Sequence, residues 1–399
     1  MIENGNVPST TFPWHRPCPA CGKDNATPLY LNRMAPIADI DMSYRVCRCF
    51  DCEFSYAADL PKPETFASYY STLSKYDIVD SANDIPEHDR IRIRTAVELC
   101  LEHIPEHSVI TDIGCGFGAL LEGFRRAGYS NLHGIDPAPD AHHLARKLFG
   151  ISGVQTGSLN DADRLLPLNT TGLVCLTGVL EHLPALYEDT ERILRHLPFS
   201  AKVLIEVPAL ERFSQTEMEP FGEFSLEHVQ YFSKDSLERF MNRFGFSPVF
   251  QSIIEIPGLA TDSLFSLFAR DGANQSRPSN KDTYLSEYLS KSAAILESTL
   301  SRITSAIPER YLIYGAGSHT ARLIPKLNQL GMEEGIVGVI DSNRNLHGKH
   351  IGKHAIYPPQ FLDQCHGLPV LISSHKAQQV IANRLGDKHP LLLMYPCLS

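Results

Sequence analysis

The chain has 399 residues, and at a usual domain size of roughly 100 to 200 residues it divides into two to four domains, each able to bury a core. Its 43% hydrophobic and 21% charged residues are ordinary for a globular protein, which excludes wholesale disorder, a collagen-like repeat and a coiled-coil rod. The formal charge of -10 argues against a protein that coats nucleic acid. The sequence lacks a signal-peptide pattern and a long apolar run, so we expect a cytoplasmic protein that does not enter a membrane.

Five of the ten cysteines lie between Cys18 and Cys52. Two Cys-x-x-Cys pairs, Cys18 with Cys21 and Cys49 with Cys52, can together supply the four thiolates that structural zinc prefers. We therefore predict a zinc-binding module, a zinc ribbon, over residues 1–60. Cys47 is a rival ligand, and a cysteine-rich strand pair without metal is the simpler alternative. A redox pair is disfavoured, because such a motif normally opens a helix and here Pro and Gly surround the first pair.

A proline-rich joint near residue 60 precedes an aromatic run that contains Tyr70 and Tyr76. Amphipathic tyrosine rings can cover a ligand, so we predict that these two contact an acceptor; packing against the next domain is the alternative. Apolar positions between residues 88 and 104 predict a partly buried helix that leads into the following domain.

A strand, a glycine-rich turn and a helix follow. A β-branched run ends in Asp112-Ile-Gly114-Cys-Gly116-Phe-Gly118, and a helical pattern begins directly afterwards. Glycines let the backbone turn sharply and approach a ligand, while the helix N-terminus presents free amides. Asp136 ends the next predicted strand, where a carboxylate can accept hydrogen bonds from ribose hydroxyls. NAD enzymes use a related turn, so the glycines alone do not identify the ligand.

With an acid before its first glycine, this pattern resembles motif I of the class I S-adenosylmethionine-dependent methyltransferases. The segments 172–177 and 202–208 look like the fourth and fifth strands of that fold, a doubly wound α/β sheet that we place in a core of residues 61–270. The resemblance implies S-adenosylmethionine as the methyl donor. The predicted donor contacts are Asp112, Gly114, Gly116, Gly118, Asp136, Leu159, Asn160 and Thr177.

Because the sulfonium methyl of the donor is already activated, the protein has to hold the acceptor in line behind it and, if necessary, remove the acceptor's proton. Glu227 and His228 place a carboxylate beside an imidazole, just before a predicted helix N-cap at Ser233. A surface or capping Glu-His pair is the alternative. His182, which follows the fourth strand, is a further predicted contact to the acceptor.

The whole arrangement resembles the zinc-containing nucleotide-deoxysugar C-methyltransferases: a cysteine module, a methyltransferase core, an EH-x-x-YF motif and a C-terminal Rossmann-like domain. This resemblance implies that His228, with Glu227 as its acidic neighbour, removes a proton from carbon next to a keto group. That family carries a tyrosine three positions before the histidine, whereas this chain has Ser225. Methyl transfer to oxygen or nitrogen of another polar metabolite therefore stays open.

The C-terminal third repeats the glycine-turn pattern. We predict a helical linker over residues 271–305 and a Rossmann-like domain over 306–399. Its turn lacks a third glycine, which disfavours a working NAD site. The resemblance implies that this domain helps to hold a nucleotide sugar, and we predict contacts from Gly315, Gly317, Ser318 and Asp341. A purely structural or dimerising domain is the alternative.

The expected partner is a small-molecule acceptor, most simply a nucleotide sugar, with no nucleic acid and no membrane. The chain is expected to be a monomer or a homodimer. A binding protein with a zinc ribbon and a vestigial donor site is the contrasting hypothesis, which the intact glycine motif and Asp136 disfavour.

Overall fold

The computed structural model describes residues 15–41, 43–61, 85–215, 219–225, 227–259, 261–271, 283–375 and 377–395. Tyr70 and Tyr76, which we predicted to contact an acceptor, lie outside these described residues. Among the helices in the described part of the chain, none combines the length and the apolar character needed to cross a bilayer.

The N-terminal cysteine module is a small antiparallel sheet. Its strands are β1 (Ala26–Asn32), β2 (Tyr44–Cys49) and β3 (Ser55–Ala57). A fourth strand, Gln230–Tyr231, completes the sheet from a position far along the chain by pairing with β3. The module is therefore joined to the middle of the chain by backbone hydrogen bonds.

The central unit is a seven-stranded sheet with helices on its faces. Its strands are β4 (Val109–Ile113), β5 (Leu132–Asp136), β6 (Val154–Thr156), β7 (Thr171–Thr177), β8 (Lys202–Pro208), β10 (Phe246–Ile254) and β11 (Ser263–Arg270); Gln230–Tyr231 is β9. The helices are α1 (Glu87–Leu101), α2 (Ala119–Arg126), α3 (Ala141–Phe149), α4 (Ala162–Leu165), α5 (Leu186–Leu194) and α6 (Lys234–Asn242).

The strand order of this sheet is β10-β11-β8-β7-β4-β5-β6. The five strands from β6 to β8 run parallel, and β11 runs antiparallel to both of its neighbours. The chain thus starts in the middle of the sheet at β4 and moves first to one side and then to the other. In such sheets, ligands bind beyond the carboxyl ends of the strands where the order reverses, here beside β4.

Local sequence explains the elements on which the site depends. The predicted lead-in helix is α1, which buries Ala96, Val97 and Cys100. Strands β7 and β8 are nearly continuous apolar runs because helices cover both faces of the sheet. Ser233 caps α6 by accepting a hydrogen bond from the Ser236 amide, as its sequence position predicted.

The C-terminal unit is a second parallel sheet, with order β14-β15-β13-β12-β16-β17. Helix α7 (Tyr284–Thr304) leads into it. The strands are β12 (Tyr311–Tyr314), β13 (Ile336–Ile340), β14 (His350–Ile351), β15 (His354–Tyr357), β16 (Val370–Ile372) and β17 (Leu391–Leu393), and the helices are α8 (Ser318–Gln329) and α9 (Gln378–Leu385). Only β14 runs antiparallel among the described strands of this sheet.

One hydrophobic cluster joins the three units. It contains Tyr44 of the cysteine module, Phe224 and Tyr231 of the central unit, and Tyr288 and Ile313 of the C-terminal third. The Phe224 ring makes edge contacts with the rings of Tyr231 and Tyr288, with centroids 5.2 and 5.4 Å apart. Phe224, three residues before Glu227, is therefore buried in a cluster to which all three units contribute.

Candidate functional site

The glycine-rich turn after β4 has backbone conformations that require glycine. Gly114, Gly116 and Gly118 have φ angles of 71°, 52° and 83°, in the left-handed region that other residues rarely adopt. A Cβ atom at Gly114 would also lie 2.8 Å from the Val179 side chain. The turn therefore brings bare backbone to the carboxyl edge of the sheet, directly before the N-terminus of α2.

Asp136 closes this turn from the end of β5. Its carboxylate accepts hydrogen bonds from the Gly116 amide at 2.7 Å and from the Ala138 amide at 2.8 Å. Burial raises the pKa of Asp136, and these two amide hydrogen bonds oppose that shift. Each carboxylate oxygen keeps a second lone pair, so both can still accept from a ribose hydroxyl.

Asp112 lies one strand away from Asp136 and is also buried. Burial raises its pKa well above the ordinary range, and the nearby charge of Asp136 adds to the shift. Its Oδ1 atom has no hydrogen-bond partner among the described residues. A buried acceptor without a donor costs free energy, so a ligand that brings an ammonium or hydroxyl group fits beside it. The methionine part of S-adenosylmethionine carries such an ammonium.

The remaining predicted donor contacts lie on neighbouring elements of the same sheet. Thr177 is the last residue of β7, which pairs directly with β4. Leu159 and Asn160 lie in a short 3-10 turn after β6, where Leu159 is half-buried and Asn160 is exposed. All three residues lie at or just beyond the carboxyl ends of strands, and their contacts with the donor remain predictions.

The four predicted zinc ligands come together in the cysteine module. Cys18 and Cys52 lie with their sulfur atoms 3.6 Å apart, as do Cys21 and Cys49. The residue after each pair, Gly22 or Glu53, has a positive φ angle and its amide donates to the carbonyl of the pair's first cysteine. The two turns are thus built alike.

The cluster fits a tetrahedral zinc ion. A zinc–sulfur distance of about 2.3 Å gives tetrahedral sulfur atoms a separation of about 3.8 Å, close to the separations observed. Hydrogen bonds among the four thiols lower the pKa of Cys21 and Cys49 and raise that of Cys18, and the pKa of Cys52 is also raised, so metal binding would release the protons that remain. Cys47 is not among the clustered ligands, and burial raises its pKa to about 11.

His182 and His228 meet on the carboxyl side of the central sheet. The centroids of their rings are 5.0 Å apart. Together with Glu181 they form a group whose potential metal-ligand atoms lie within 4.8 Å of one another. His182 Nδ1 lies 3.2 Å from the Glu227 carbonyl oxygen, which only accepts; this nitrogen therefore carries the proton and the Nε2 lone pair is free. The group contains nitrogen and oxygen acceptors that face one another.

Burial shapes the charges of this group. It lowers the pKa of His228 to about 3, with the neighbouring His182 adding to the shift, and it also lowers the pKa of His182. Burial and the nearby Glu206 carboxylate raise the pKa of Glu181 to about 8. Both histidines are therefore neutral at physiological pH. Sequence reasoning missed Glu181 as a site residue, although the Glu-His pair after β7 was the available signal.

Ser225 has a local structural role. Its hydroxyl oxygen accepts hydrogen bonds from the Glu227 amide at 3.2 Å and the His228 amide at 3.0 Å. Its carbonyl oxygen accepts from the Tyr44 hydroxyl at 3.0 Å. The side chain that differs from the family pattern thus holds the turn that presents His228.

The second glycine turn has hydrogen bonds similar to those of the first. Asp341 accepts from the Ala316 amide, the second residue of its turn, and from the Asn343 amide, each at 2.7 Å, whereas Asp136 accepts from Gly116, the third residue of its turn, and from Ala138. Gly315 has a φ angle of 110°, and Gly317 and Ser318 begin α8. Beside this turn His319 contacts the hydroxyls of Ser373 and Tyr395, so part of the crevice beyond β12 and β16 is filled by side chains.

Residues 87–251 match the family described as a methyltransferase domain. A dTDP-4-amino-2,3,4,6-tetradeoxy-D-glucose N,N-dimethyltransferase of Saccharopolyspora spinosa is 26% identical over 147 residues, which is 36% of this chain and 59% of that protein. An EEF1A lysine methyltransferase 2 of Danio rerio is 25% identical over 195 residues, which is 48% of this chain and 75% of that protein.

A solved structure gives a further comparison. The 1,6-didemethyltoxoflavin-N1-methyltransferase of Burkholderia thailandensis, with bound S-adenosylhomocysteine, is 18% identical and has a TM-score of 0.41. It covers 55% of this chain and 97% of its own chain. The matched family region runs from α1 into β10 and contains the glycine turn, Asp136 and the two histidines.

Proposed function

We propose that this chain is an S-adenosylmethionine-dependent methyltransferase that methylates a carbon atom of a nucleotide-linked keto-deoxysugar, with His228 as the general base. The observation that carries the proposal is the meeting of His182, His228 and Glu181 on the carboxyl side of the sheet that forms the donor turn. An acceptor held there lies beside both a methyl donor and a group that can take a proton.

The donor supplies a methyl group that is already activated by its sulfonium charge. In our proposal the turn from Gly114 to Gly118 holds its methionine part, with the unpartnered oxygen of Asp112 accepting from the ammonium. Asp136 binds the ribose hydroxyls through the lone pairs that its two amide contacts leave free. The protein's remaining task is to position the acceptor and to manage its proton.

His228 suits the base role because it is neutral and its turn is fixed. A neutral imidazole can accept a proton, whereas an imidazolium cannot. Its low pKa makes it a weak base in the empty site, so the protonated form needs a nearby negative charge. We propose that Glu227 supplies that charge as the proton arrives, since it directly precedes His228 and its charge already acts on the neighbouring His182 ring.

The flanking units complete the acceptor site in this proposal. Zinc held by Cys18, Cys21, Cys49 and Cys52 is structural, because four thiolates leave no open coordination position. The C-terminal unit holds the nucleotide part of the acceptor near Gly315, Gly317, Ser318 and Asp341, where a nucleoside phosphate would meet the start of α8.

Methyl transfer to an amino nitrogen is the second candidate function. The free Nε2 of His182 and the His228 ring offer nitrogen acceptors beside the neutral carboxyl group of Glu181, and such acceptors suit an amine group. The relative from Saccharopolyspora spinosa is named as an N,N-dimethyltransferase of an amino sugar. The two functions differ in whether a carbon–hydrogen bond is broken before methyl transfer.

The test is His228→Ala, with His196→Ala as the control because His196 is an exposed histidine of the same unit that contacts Asp163. We expect the His228 variant to keep donor affinity and to lose about 10²- to 10⁴-fold of its turnover number, the usual worth of a positioned base. The control variant is expected to match wild type in both measurements.

Solvent exchange distinguishes the two acceptors. With S-adenosylhomocysteine in place of the donor, a keto sugar is expected to exchange its acidic carbon-bound proton with deuterated water in the wild-type enzyme and not in the His228 variant. Methylation of an amino sugar without any carbon-bound exchange would favour nitrogen. Full activity of the His228 variant would remove this residue from the mechanism.

A further inference from the structure

Arg16 lies at the junction between the cysteine module and the two loops that carry the candidate catalytic histidines. It is 5% exposed, and its guanidinium donates to three backbone carbonyls in different parts of the chain. Nε donates to Ala57 at 2.8 Å, Nη1 to Pro184, and Nη2 to Val229 at 3.1 Å. One side chain therefore ties β3 to both histidine loops.

The positions of these carbonyls relative to the histidines are specific. Pro184 follows His182 by two residues, and Val229 follows His228 directly. A second side chain adds to the same junction, because Gln230 donates from its amide group to the Leu183 carbonyl at 2.7 Å and lies 3.5 Å from Arg16 Nη2. The Val229 amide donates to the Glu181 carbonyl at 2.8 Å. Arg16 and Gln230 therefore join the two histidine loops in addition to the direct Val229–Glu181 backbone bond.

Arg16 carries a buried charge close in sequence to the cysteine cluster. Among the described residues it forms no ion pair with a carboxylate, and its partners are neutral carbonyls, a glutamine and the face of the Tyr56 ring. A buried charge without a counter-charge is costly. Arg16 precedes Cys18 by two residues, and a zinc ion held by four thiolates carries a net charge of about -2. A metal-thiolate group would therefore be a counter-charge of the right sign, held by a cysteine only two residues away along the chain.

We propose that Arg16 is a positioning residue: its hydrogen bonds hold the loops of His182 and His228 in place when the cysteine module is folded around its metal. The inference rests on the proposed function only in naming these histidines as catalytic. It assigns the cysteine module a role in active-site geometry: the module supplies β3, which pairs with β9 directly after His228, and the guanidinium that joins β9 to the His182 loop.

The structural readout is amide hydrogen exchange of the full chain. In Arg16→Met we expect exchange to quicken at least tenfold in residues 181–184 and 227–231, with residues 112–118 of the donor turn unchanged. Removing zinc from wild type with a chelator is expected to give the same pattern. Arg45→Lys is the matched control, since Arg45 pairs with Asp59 inside the same module.

The catalytic readout uses the acceptor of the proposed function. Arg16→Met is expected to lower kcat by about 10- to 100-fold, the usual effect of a small misplacement of reacting groups, with donor affinity within twofold of wild type. Arg16→Lys keeps the charge but lacks the planar fork that reaches three carbonyls, so an intermediate loss is expected.

The outcomes separate this inference from the proposed function. If Arg16→Met does not fold, Arg16→Lys and Gln230→Leu provide the exchange test. Wild-type protection of both loops in Arg16→Lys and Gln230→Leu would overturn the inference, as would equal loosening of the donor turn. The exchange measurement needs no acceptor, so it stands even if His228→Ala proves fully active and the proposed function fails.

Discussion

Replacing Asp136 with alanine tests how the donor is held. The carboxylate is buried, fixed by two amide hydrogen bonds, and has lone pairs left for both ribose hydroxyls. Loss of hydrogen bonds to a charged group costs about 1.5 to 3 kcal/mol, and every 1.4 kcal/mol is a factor of ten in affinity. We therefore expect donor affinity to fall by about 10- to 150-fold.

The chain contains its own control for this substitution. Asp341 accepts from one amide of its glycine turn and one amide two residues further on, as Asp136 does, so Asp341→Ala removes a similarly held carboxylate from the C-terminal unit. Titration calorimetry with S-adenosylmethionine is the assay, and thermal unfolding checks that each variant folds. We expect Asp341→Ala to bind the donor as wild type does. Unchanged affinity in Asp136→Ala, or an equal loss in both variants, would refute the assignment of the ribose to Asp136.

Three further predictions concern metal, backbone and pH. Purified protein is expected to hold one zinc per chain, lost in Cys49→Ser and kept in Cys47→Ser by elemental analysis, because Cys47 lies outside the cluster; zinc retained in Cys49→Ser would contradict this. Gly114→Ala is expected to cost about 1 to 3 kcal/mol of unfolding free energy and to weaken donor binding, because its φ angle is 71° and its Cβ would meet Val179; wild-type values in both would contradict this. The folded-state pKa of His228, about 3, lies below the ordinary 6.5, so its contribution to stability is present above pH 6.5 and falls as the pH drops toward 3. Chemical unfolding between pH 4 and 6.5 is expected to show a shallower pH slope in His228→Gln, and an unchanged slope would contradict it.

The glycine turns and their acids could be predicted from the sequence because they are local. A strand, a turn that needs positive φ angles, a helix and an acid at the next strand end fix one another within about 30 residues. Asp136 and Asp341 accordingly accept the amides of their own turns. The clustering of the two cysteine pairs could also be predicted, since each pair forms its own turn and four thiolates suit one ion.

The junction between the units could not be read from the sequence. Strand β9 has only two residues, and it pairs with β3 across more than 170 residues of chain, so no local period marks it. Arg16 lies outside every motif and meets Pro184 and Val229 only through the fold. Glu181 gains its altered pKa from burial, which depends on tertiary packing.

Methyl transfer from a donor labelled with carbon-13 in its methyl group tests the central claim most directly. The wild-type protein is incubated with this donor and a nucleotide-linked keto-deoxysugar, and the product is examined by nuclear magnetic resonance. Our account predicts a labelled methyl bonded to the carbon beside the keto group, together with S-adenosylhomocysteine, and no such product from His228→Ala. A label on oxygen or nitrogen, or no transfer by zinc-loaded protein that binds the donor, would contradict the account.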